Sequence, residues 1–118
     1  MGNKVVHFEA AGGDGKQLQE FYGKAFGWNI DANNPMNYGM VSADDAGVAG
    51  GISPGPDGAA HLTVYIEVED LAKALDHIEK LGGKTVNPPM DVPGGPKLAH
   101  FSDPSGNFVG LVQAGSMG

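Results

Sequence analysis

The sequence predicts an α+β fold of two tandem βαβββ modules, in which a curved mixed sheet carries its helices on the outer face and leaves a concave face open. Three observations lead to this fold class. A histidine-bearing segment that alternates apolar and polar residues occurs twice, about half a chain length apart. Each copy precedes an amphipathic helix pattern that ends at glycine, and 20 glycines and eight prolines supply turns for several short strands. A repeat of this length indicates two modules of one design within a single domain, residues 1–118.

The first module covers about residues 4–53 and opens with a half-buried strand. Residues 4–10 alternate, so that the apolar side chains lie on one face and His7 and Glu9 on the other. Asp14 is the predicted N-cap of the following helix, which ends at a glycine. Three weaker strands are expected after this helix, near residues 29–31, 38–42 and 48–52, with turns at 33–35 and 44–47.

The second module covers about residues 60–113, after a Pro- and Gly-rich linker at 54–59 and before a loose tail at 114–118. Its first strand places Leu62, Val64, Ile66 and Val68 on one face and His61, Thr63, Tyr65 and Glu67 on the other. Asp70 is the predicted cap of the second helix. Further strands are expected at 84–86, 98–101 and 108–113, with a turn at Pro88 and Pro89.

Side-chain alternation also predicts where the candidate site lies. Each helix has an apolar stripe that must be covered by one face of the sheet. The apolar face of each first strand therefore lies under its helix, and the other face stays open. His7, Glu9 and His61 are expected on that open, concave face. The glycines at positions 50, 51 and 110 are expected to leave room there for a ligand.

Composition excludes several classes of function. The formal net charge is −7, and the chain has no arginine, which speaks against nucleic-acid binding. An acidic surface favours solubility, and an acidic concave face would also attract a cationic ligand. Without cysteine the chain has neither disulfides nor thiolate zinc sites. No apolar run approaches the length of a membrane helix, so a soluble cytoplasmic protein is expected.

Several motifs resemble one known family. The resemblance rests on one motif and on the segments around the two helices. The motif is Ala99-His100-Phe101-Ser102-Asp103-Pro104-Ser105-Gly106-Asn107. The helix segments are Phe21 to Trp28 in the first helix, and the start and end of the second helix at Val68 to Leu71 and Gly82-Gly83-Lys84. Together they resemble the glyoxalase / bleomycin-resistance / extradiol-dioxygenase superfamily, also called vicinal oxygen chelate proteins. The resemblance covers residues 4–113. It specifies a fold that hosts many reactions, so the reaction has to be argued from the site.

The resemblance implies paired βαβββ modules that form a cup, a homodimer, and in the metal-using members a divalent ion held by two histidines and one or two glutamates. The two histidines fall on His7 and His61. The glutamate of the last strand falls on Gly110, and that of the first module on Gly50 or Gly51. Two imidazoles without a carboxylate make a weak site for a hard ion. Glu9 or Glu67 would supply a carboxylate only if the metal were displaced.

Three functions stay open from the sequence, and it does not decide whether the chain is an enzyme. The first is a binder of a small, largely apolar or aromatic molecule, without cofactor. The second is a glyoxalase-type lyase or isomerase that uses nickel, zinc, manganese or iron at His7 and His61. The third is a structural dimer module without ligand. The candidate ligand-binding residues are His7, Glu9, His61, Thr63, Tyr65, Phe108 and Gly110, and no membrane or nucleic-acid partner is expected.

Overall fold

The computed structural model describes residues 2–55 and 58–116, which form seven strands and three helices. In chain order these are β1 (Val5–Ala11), α1 (Gly15–Phe26), β2 (Gly39–Val41), α2 (Ala43–Ala46), β3 (Gly50–Ser53), β4 (His61–Val68), α3 (Leu71–Lys80), β5 (Lys84–Asp91), β6 (Lys97–Ser102) and β7 (Phe108–Gln113). The predicted α+β class is confirmed. No helix in the described part of the chain is both long and apolar enough to cross a membrane.

The chain divides into two compact units. The N-terminal unit is Val6–Thr63, and the C-terminal unit is Val64–Gly118 together with Met1–Val5. In each unit the first strand pairs in parallel with the last one, β1 with β3 and β4 with β7. The remaining strand pairs within the units are antiparallel, so the strand pairing in each unit is mixed as predicted.

In the N-terminal unit, α1 covers one face of the strands. The side chain of Asp14 accepts hydrogen bonds from the backbone N–H groups of the first helical turn, as predicted for an N-cap. The helix ends at Gly27, whose φ of 72° is left-handed and therefore suits glycine. Leu18 and Tyr22 of α1 pack against a buried cluster of Ala10, Val41 and Ile52.

The segment after α1 is less regular than the predicted three strands. The first of them is reduced to a single bridge between Asp31 and Met40. The predicted turn at 44–47 contains the short helix α2, because the Ser42 side chain accepts a hydrogen bond from the Asp44 N–H and caps that helix.

In the C-terminal unit, α3 covers the strands in the same way. Asp70 caps α3, and Leu71 and Leu75 of the helix pack against Ala99 and Leu111 of β6 and β7. Ile66 and Val68 of β4 border this core.

The apolar face predicted for β4 is only half covered. Leu62 is 74% exposed and Val64 38% exposed, although both were expected beneath the helix. A ten-residue helix is about 15 Å long, whereas an eight-residue strand is about 26 Å long. The helix therefore reaches only the end of the strand from which it starts.

Pro88 and Pro89 lie inside β5, which corrects the predicted turn at these positions. The pairing of β5 with β6 shifts register on both sides of Asn87, and the prolines fall in the second irregular stretch. Within this unit β5 is the last strand in the order. Prolines are tolerated at such a place because their missing N–H groups are not needed for a regular ladder.

The predicted tail is also better fixed than expected. The N–H of Ala114 donates to the carbonyl of Val68 at 2.8 Å, and the Ser116 hydroxyl accepts from the N–H of Lys97 at 3.0 Å. Ala114 and Ser116 are thus hydrogen-bonded to residues of β4 and β6. Residues 117 and 118 of the tail and residues 56 and 57 of the predicted linker lie outside the described residues.

Candidate functional site

Four polar side chains of the N-terminal unit form one hydrogen-bonded group, the Glu9 cluster, which consists of His7, Glu9, Tyr38 and His61. His61 Nε2 lies 2.9 Å from Glu9 Oε1, and the Tyr38 hydroxyl lies 3.4 Å from Glu9 Oε2. His7 Nε2 lies 2.9 Å from the same hydroxyl. Strand alternation predicted that His7 and Glu9 share a face, and the contact with His61 places that histidine beside them.

The chemistry of the four groups fixes the direction of these hydrogen bonds. A carboxylate only accepts, so His61 Nε2–H donates to one oxygen of Glu9. The Tyr38 hydroxyl donates to the other oxygen, and it therefore accepts from His7 Nε2–H. The hydrogen bonds of the cluster thus all run toward Glu9, directly from His61 and Tyr38 and, through the Tyr38 hydroxyl, from His7. The side chains of His61 and Glu9 are 29% and 19% exposed, which leaves the cluster within reach of solvent.

His7 is electrostatically distinct within the cluster. Burial lowers its pKa below the ordinary value, because the charged imidazolium loses its water shell. The nearby Glu9 carboxylate raises the pKa in part but does not overcome this effect. The neutral form of His7 is consequently favoured at neutral pH, in agreement with the hydrogen bond that its Nε2–H donates to Tyr38.

A glycine makes room for the tyrosine of this cluster. Gly51 of β3 pairs with Glu9 of β1, and a Cβ atom at position 51 would overlap the Tyr38 ring. The adjacent Gly50 lies against Phe8, on the face that packs toward the helix core. Of the two candidate positions for a first-module carboxylate, Gly51 is therefore the one on the side of Glu9, and a tyrosine ring occupies the space above it.

The C-terminal unit contains a second group of similar construction, the His100 cluster, which consists of Tyr65, Asn87, His100 and Phe108. His100 Nε2 lies 2.9 Å from the Tyr65 hydroxyl, and Nδ1 lies 3.1 Å from the Asn87 amide nitrogen. The Phe108 ring stacks on His100 with centroids 4.8 Å apart. Gly110 pairs with Tyr65, and a Cβ atom at position 110 would overlap the Tyr65 ring.

These contacts correct the predicted role of the glycines. They were expected to leave open space for a ligand, but at Gly51 and Gly110 that space holds the rings of Tyr38 and Tyr65. In both units a tyrosine ring lies on a glycine, and its hydroxyl is bound by a histidine Nε2 atom.

The predicted site residues thus fall into two groups. His7, Glu9 and His61 meet in the Glu9 cluster; Thr63, in the same unit, is buried with 5% of its surface exposed. The other three, Tyr65, Phe108 and Gly110, meet around His100.

Sequence reasoning missed Tyr38 and Asn87 as cluster members. Tyr38 was expected at the start of the weak strand near 38–42, but in the structure it precedes β2 (Gly39–Val41). Asn87 lies at a register shift in β5, where alternation no longer defines a face. His100 belongs to the motif that carries the family resemblance, but it was not among the predicted ligand-binding residues.

The residues present do not fit the metal site that the family resemblance implies. Among residues 2–55 and 58–116, no three His, Asp or Glu side chains converge as a set that could hold an ion. His7 Nε2 and His61 Nε2 instead donate hydrogen bonds, and Glu9 accepts from His61 and Tyr38. A metal bound through these Nε2 atoms would need their lone pairs, so both atoms would first have to lose their protons and their present hydrogen-bond partners.

The family is shown by comparison with known proteins. The sequence model of the Glyoxalase/Bleomycin resistance protein/Dioxygenase superfamily matches residues 4–111, so the chain belongs to this superfamily. A provisionally named glyoxylase of Mycobacterium tuberculosis, CFP32, is 32% identical over 111 residues. That match covers 86% of this chain but only 42% of the relative, so the chain spans less than half of the relative's length.

Solved structures agree on the fold. The hypothetical protein BH1468 from Bacillus halodurans superposes with a TM-score of 0.73 and 12% identity, covering 100% of this chain and 99% of that one. Methylmalonyl-CoA epimerase from Mycobacterium tuberculosis superposes with a TM-score of 0.65 and 13% identity, covering 92% of this chain and 86% of that one. At such identities the likeness concerns the fold alone.

The close approach of Tyr65 to Gly110 predicts a steric coupling. Gly110→Ala should destabilise the protein by about 1–3 kcal/mol, because the new methyl group overlaps a ring that is itself buried. In the Tyr65→Ala background the same substitution should cost much less. Urea unfolding of the two single variants and the double variant measures this coupling. Additive effects would show that the ring does not lie on the glycine.

The lowered pKa of His7 predicts a pH-dependent stability. In the unfolded chain this histidine takes up its proton near pH 6.5, but in the folded protein only at lower pH. Between these values the unfolded state binds more protons, so the free energy of unfolding should fall as the pH is lowered from about 6.5 through the folded-state pKa. Above that window the contribution of His7 should be constant.

Urea unfolding at a series of pH values, for the wild type and for His7→Gln, measures this contribution. Below about pH 6.5, the unfolding free energy of the wild type should fall relative to that of His7→Gln. A pH-independent difference would mean that His7 is equally easy to protonate in both states.

Proposed function

We propose that this chain is a metal-independent member of the superfamily that binds a small, largely apolar or aromatic organic molecule. The observation that carries the proposal is that Glu9 accepts hydrogen bonds from other side chains of its own cluster. The one carboxylate of the cluster is bound by His61 and Tyr38, and this bonding engages the same side chains that would have to serve as metal ligands.

The chemistry of the Glu9 cluster supports a binding role. Its polar atoms are held in place by one another, so little side-chain entropy is lost when a ligand arrives. Glu9 and His61 are partly exposed, and the half-buried Tyr38 ring lies beside them. A few oriented polar groups next to aromatic surface are typical of sites for small organic molecules.

A second candidate function is the divalent-metal lyase or isomerase. The similarity to the mycobacterial protein CFP32, which is named as a glyoxylase, favours it. It requires that His7 and His61 give up their hydrogen bonds and turn toward a common ion. Measurements of metal binding and of ligand binding distinguish this function from the metal-independent binder. The predicted homodimer and the cytoplasmic location stay predictions.

Elemental analysis after purification without chelators tests the proposal. We expect nickel, zinc, manganese and iron at well below one ion per chain, also after incubation with each metal and removal of the excess. Near-stoichiometric retention that disappears in a His7→Ala, His61→Ala double variant would contradict the proposal and favour the lyase or isomerase.

A ligand screen by thermal shift then tests binding itself. A ligand at about 100 times its Kd should stabilise the folded protein by about 2.7 kcal/mol. The stabilisation should be reduced in His61→Ala and kept in His77→Ala, since His77 is an exposed residue of α3. A ligand that stabilises both variants equally would place binding outside the Glu9 cluster.

A further inference from the structure

The C-terminal unit contains a cavity of about 270 Å³ that lies outside both clusters. Its lining includes Asp70, Leu71, Pro89, Asp91, Lys97 and Gln113. These residues belong to the start of α3 and to the ends of β5, β6 and β7 that lie beside it. The volume is below the ~300–1,000 Å³ of sites for drug-sized ligands, so the cavity suits a small metabolite.

Strand alternation places three polar side chains at this cavity. Lys97 is two residues before Ala99 on β6, and Gln113 is two residues after Leu111 on β7. Ala99 and Leu111 lie in the core that α3 covers, so the two polar side chains are on the same side of their strands as α3. Asp91 of β5 pairs directly with Lys97 and therefore shares this face.

The two opposite charges of this strand pair do not neutralise one another. Directly opposed residues of antiparallel strands have Cα atoms about 4.5–5.5 Å apart, which is close enough for an ion pair. In the part of the chain that the structure describes, the side chains of Asp91 and Lys97 nevertheless form neither an ion pair nor a hydrogen bond. The backbone N–H of Lys97, not its ammonium group, is what binds Ser116. The cavity is thus bordered by a carboxylate and an ammonium group that both keep their hydrogen-bonding capacity.

The remaining walls of the cavity are a second carboxylate and apolar surface. Asp70 Oδ1 accepts the backbone N–H of Lys73, which fixes this carboxylate at the start of α3. Leu71 belongs to the buried core, so the inner end of the cavity reaches apolar side chains. Pro89 adds a rigid apolar ring on the side of β5.

We propose that this cavity binds a small zwitterion with an apolar side chain, of the α-amino acid class. The carboxylate of the ligand pairs with Lys97, its ammonium group pairs with Asp91, and its side chain contacts Leu71 and Pro89. Since one carbon atom joins the two charges of an α-amino acid, they can meet two directly opposed strand residues. A ligand without net charge is also little affected by the net charge of −7, which would repel a simple anion. No residue of the Glu9 cluster lines the cavity, so this site is additional to the proposed function.

The test uses L-leucine as the probe, titrated into the full chain at physiological ionic strength and followed by the backbone amide resonances. Saturable shifts with a Kd on the order of 1 mM are expected at the cavity, at the amides of Leu71, Ala72, Asp91, Lys97 and Gln113. Isocaproate lacks the ammonium group of leucine, and isoamylamine lacks its carboxylate. Each analogue should bind about fivefold more weakly, because one ion pair is lost.

The proposal is overturned if these amides show no saturable shift up to about 10 mM leucine. It is also overturned if either analogue binds as tightly as leucine, because one of the two charges would then contribute nothing.

Two variants assign the two charges. Lys97→Gln should weaken leucine binding about fivefold and leave the affinity for isoamylamine unchanged, since that analogue has no carboxylate. Asp91→Asn should weaken leucine binding by about the same factor and leave the affinity for isocaproate unchanged. Both residues are exposed, so the variants are expected to fold, and circular dichroism checks this.

Two control variants make the same chemical changes outside the cavity. Lys84→Gln lies at the other end of β5, and Asp76→Asn lies on the exposed side of α3. Both should bind leucine like the wild type. Unchanged leucine affinity in folded Lys97→Gln and Asp91→Asn, or an equal loss in the controls, would overturn the assignment. Stoichiometric metal retention would contradict the proposed function but would leave this cavity untouched, so the two can fail separately.

Discussion

The hydrogen bonds that Glu9 accepts from His61 and Tyr38 are the interaction on which the rest of the candidate site depends. A partly buried carboxylate needs such donors, since leaving it unsatisfied would cost several kcal/mol. Supplying them requires a proton on His61 Nε2 and fixes the position of the Tyr38 hydroxyl. The Tyr38 ring then requires a residue without a side chain beneath it, which Gly51 provides, and its hydroxyl accepts a hydrogen bond from the Nε2–H group of a neutral His7.

Both units contain a tyrosine ring that lies on a glycine and a histidine that binds the tyrosine hydroxyl, but the two residues are on different strands in the two units. In the N-terminal unit the histidine is on the first strand and the tyrosine precedes β2. In the C-terminal unit the tyrosine is on the first strand and the histidine is on β6. In both, a tyrosine ring covers a glycine of the last strand, Gly51 or Gly110, at a position where the family resemblance implies a carboxylate. A glutamate at either glycine would require the tyrosine ring to move.

Much of the fold followed from the sequence, because alternation and helix caps are local signals. Asp14, Asp70 and Gly27 act as predicted, and alternation correctly paired His7 with Glu9. Contacts that depend on register or on irregular backbone did not follow. Tyr38 was expected to begin a weak strand but precedes β2, Asn87 lies at a register shift, and Pro88 lies in the irregular part of the β5–β6 pairing. The tyrosine rings above the glycines could not be predicted, because a glycine in the sequence does not indicate which side chain packs over it.

The state of the histidine rings tests the account most directly. Long-range 1H–15N correlation spectra of the imidazoles report which nitrogen carries the proton, before and after addition of one equivalent of zinc. The account predicts that His7 and His61 are protonated on Nε2 and that zinc leaves their resonances unchanged. Loss of the Nε2 proton signals of both residues in step, complete at one equivalent of zinc, would contradict it and show that Glu9 and the two histidines form a metal site.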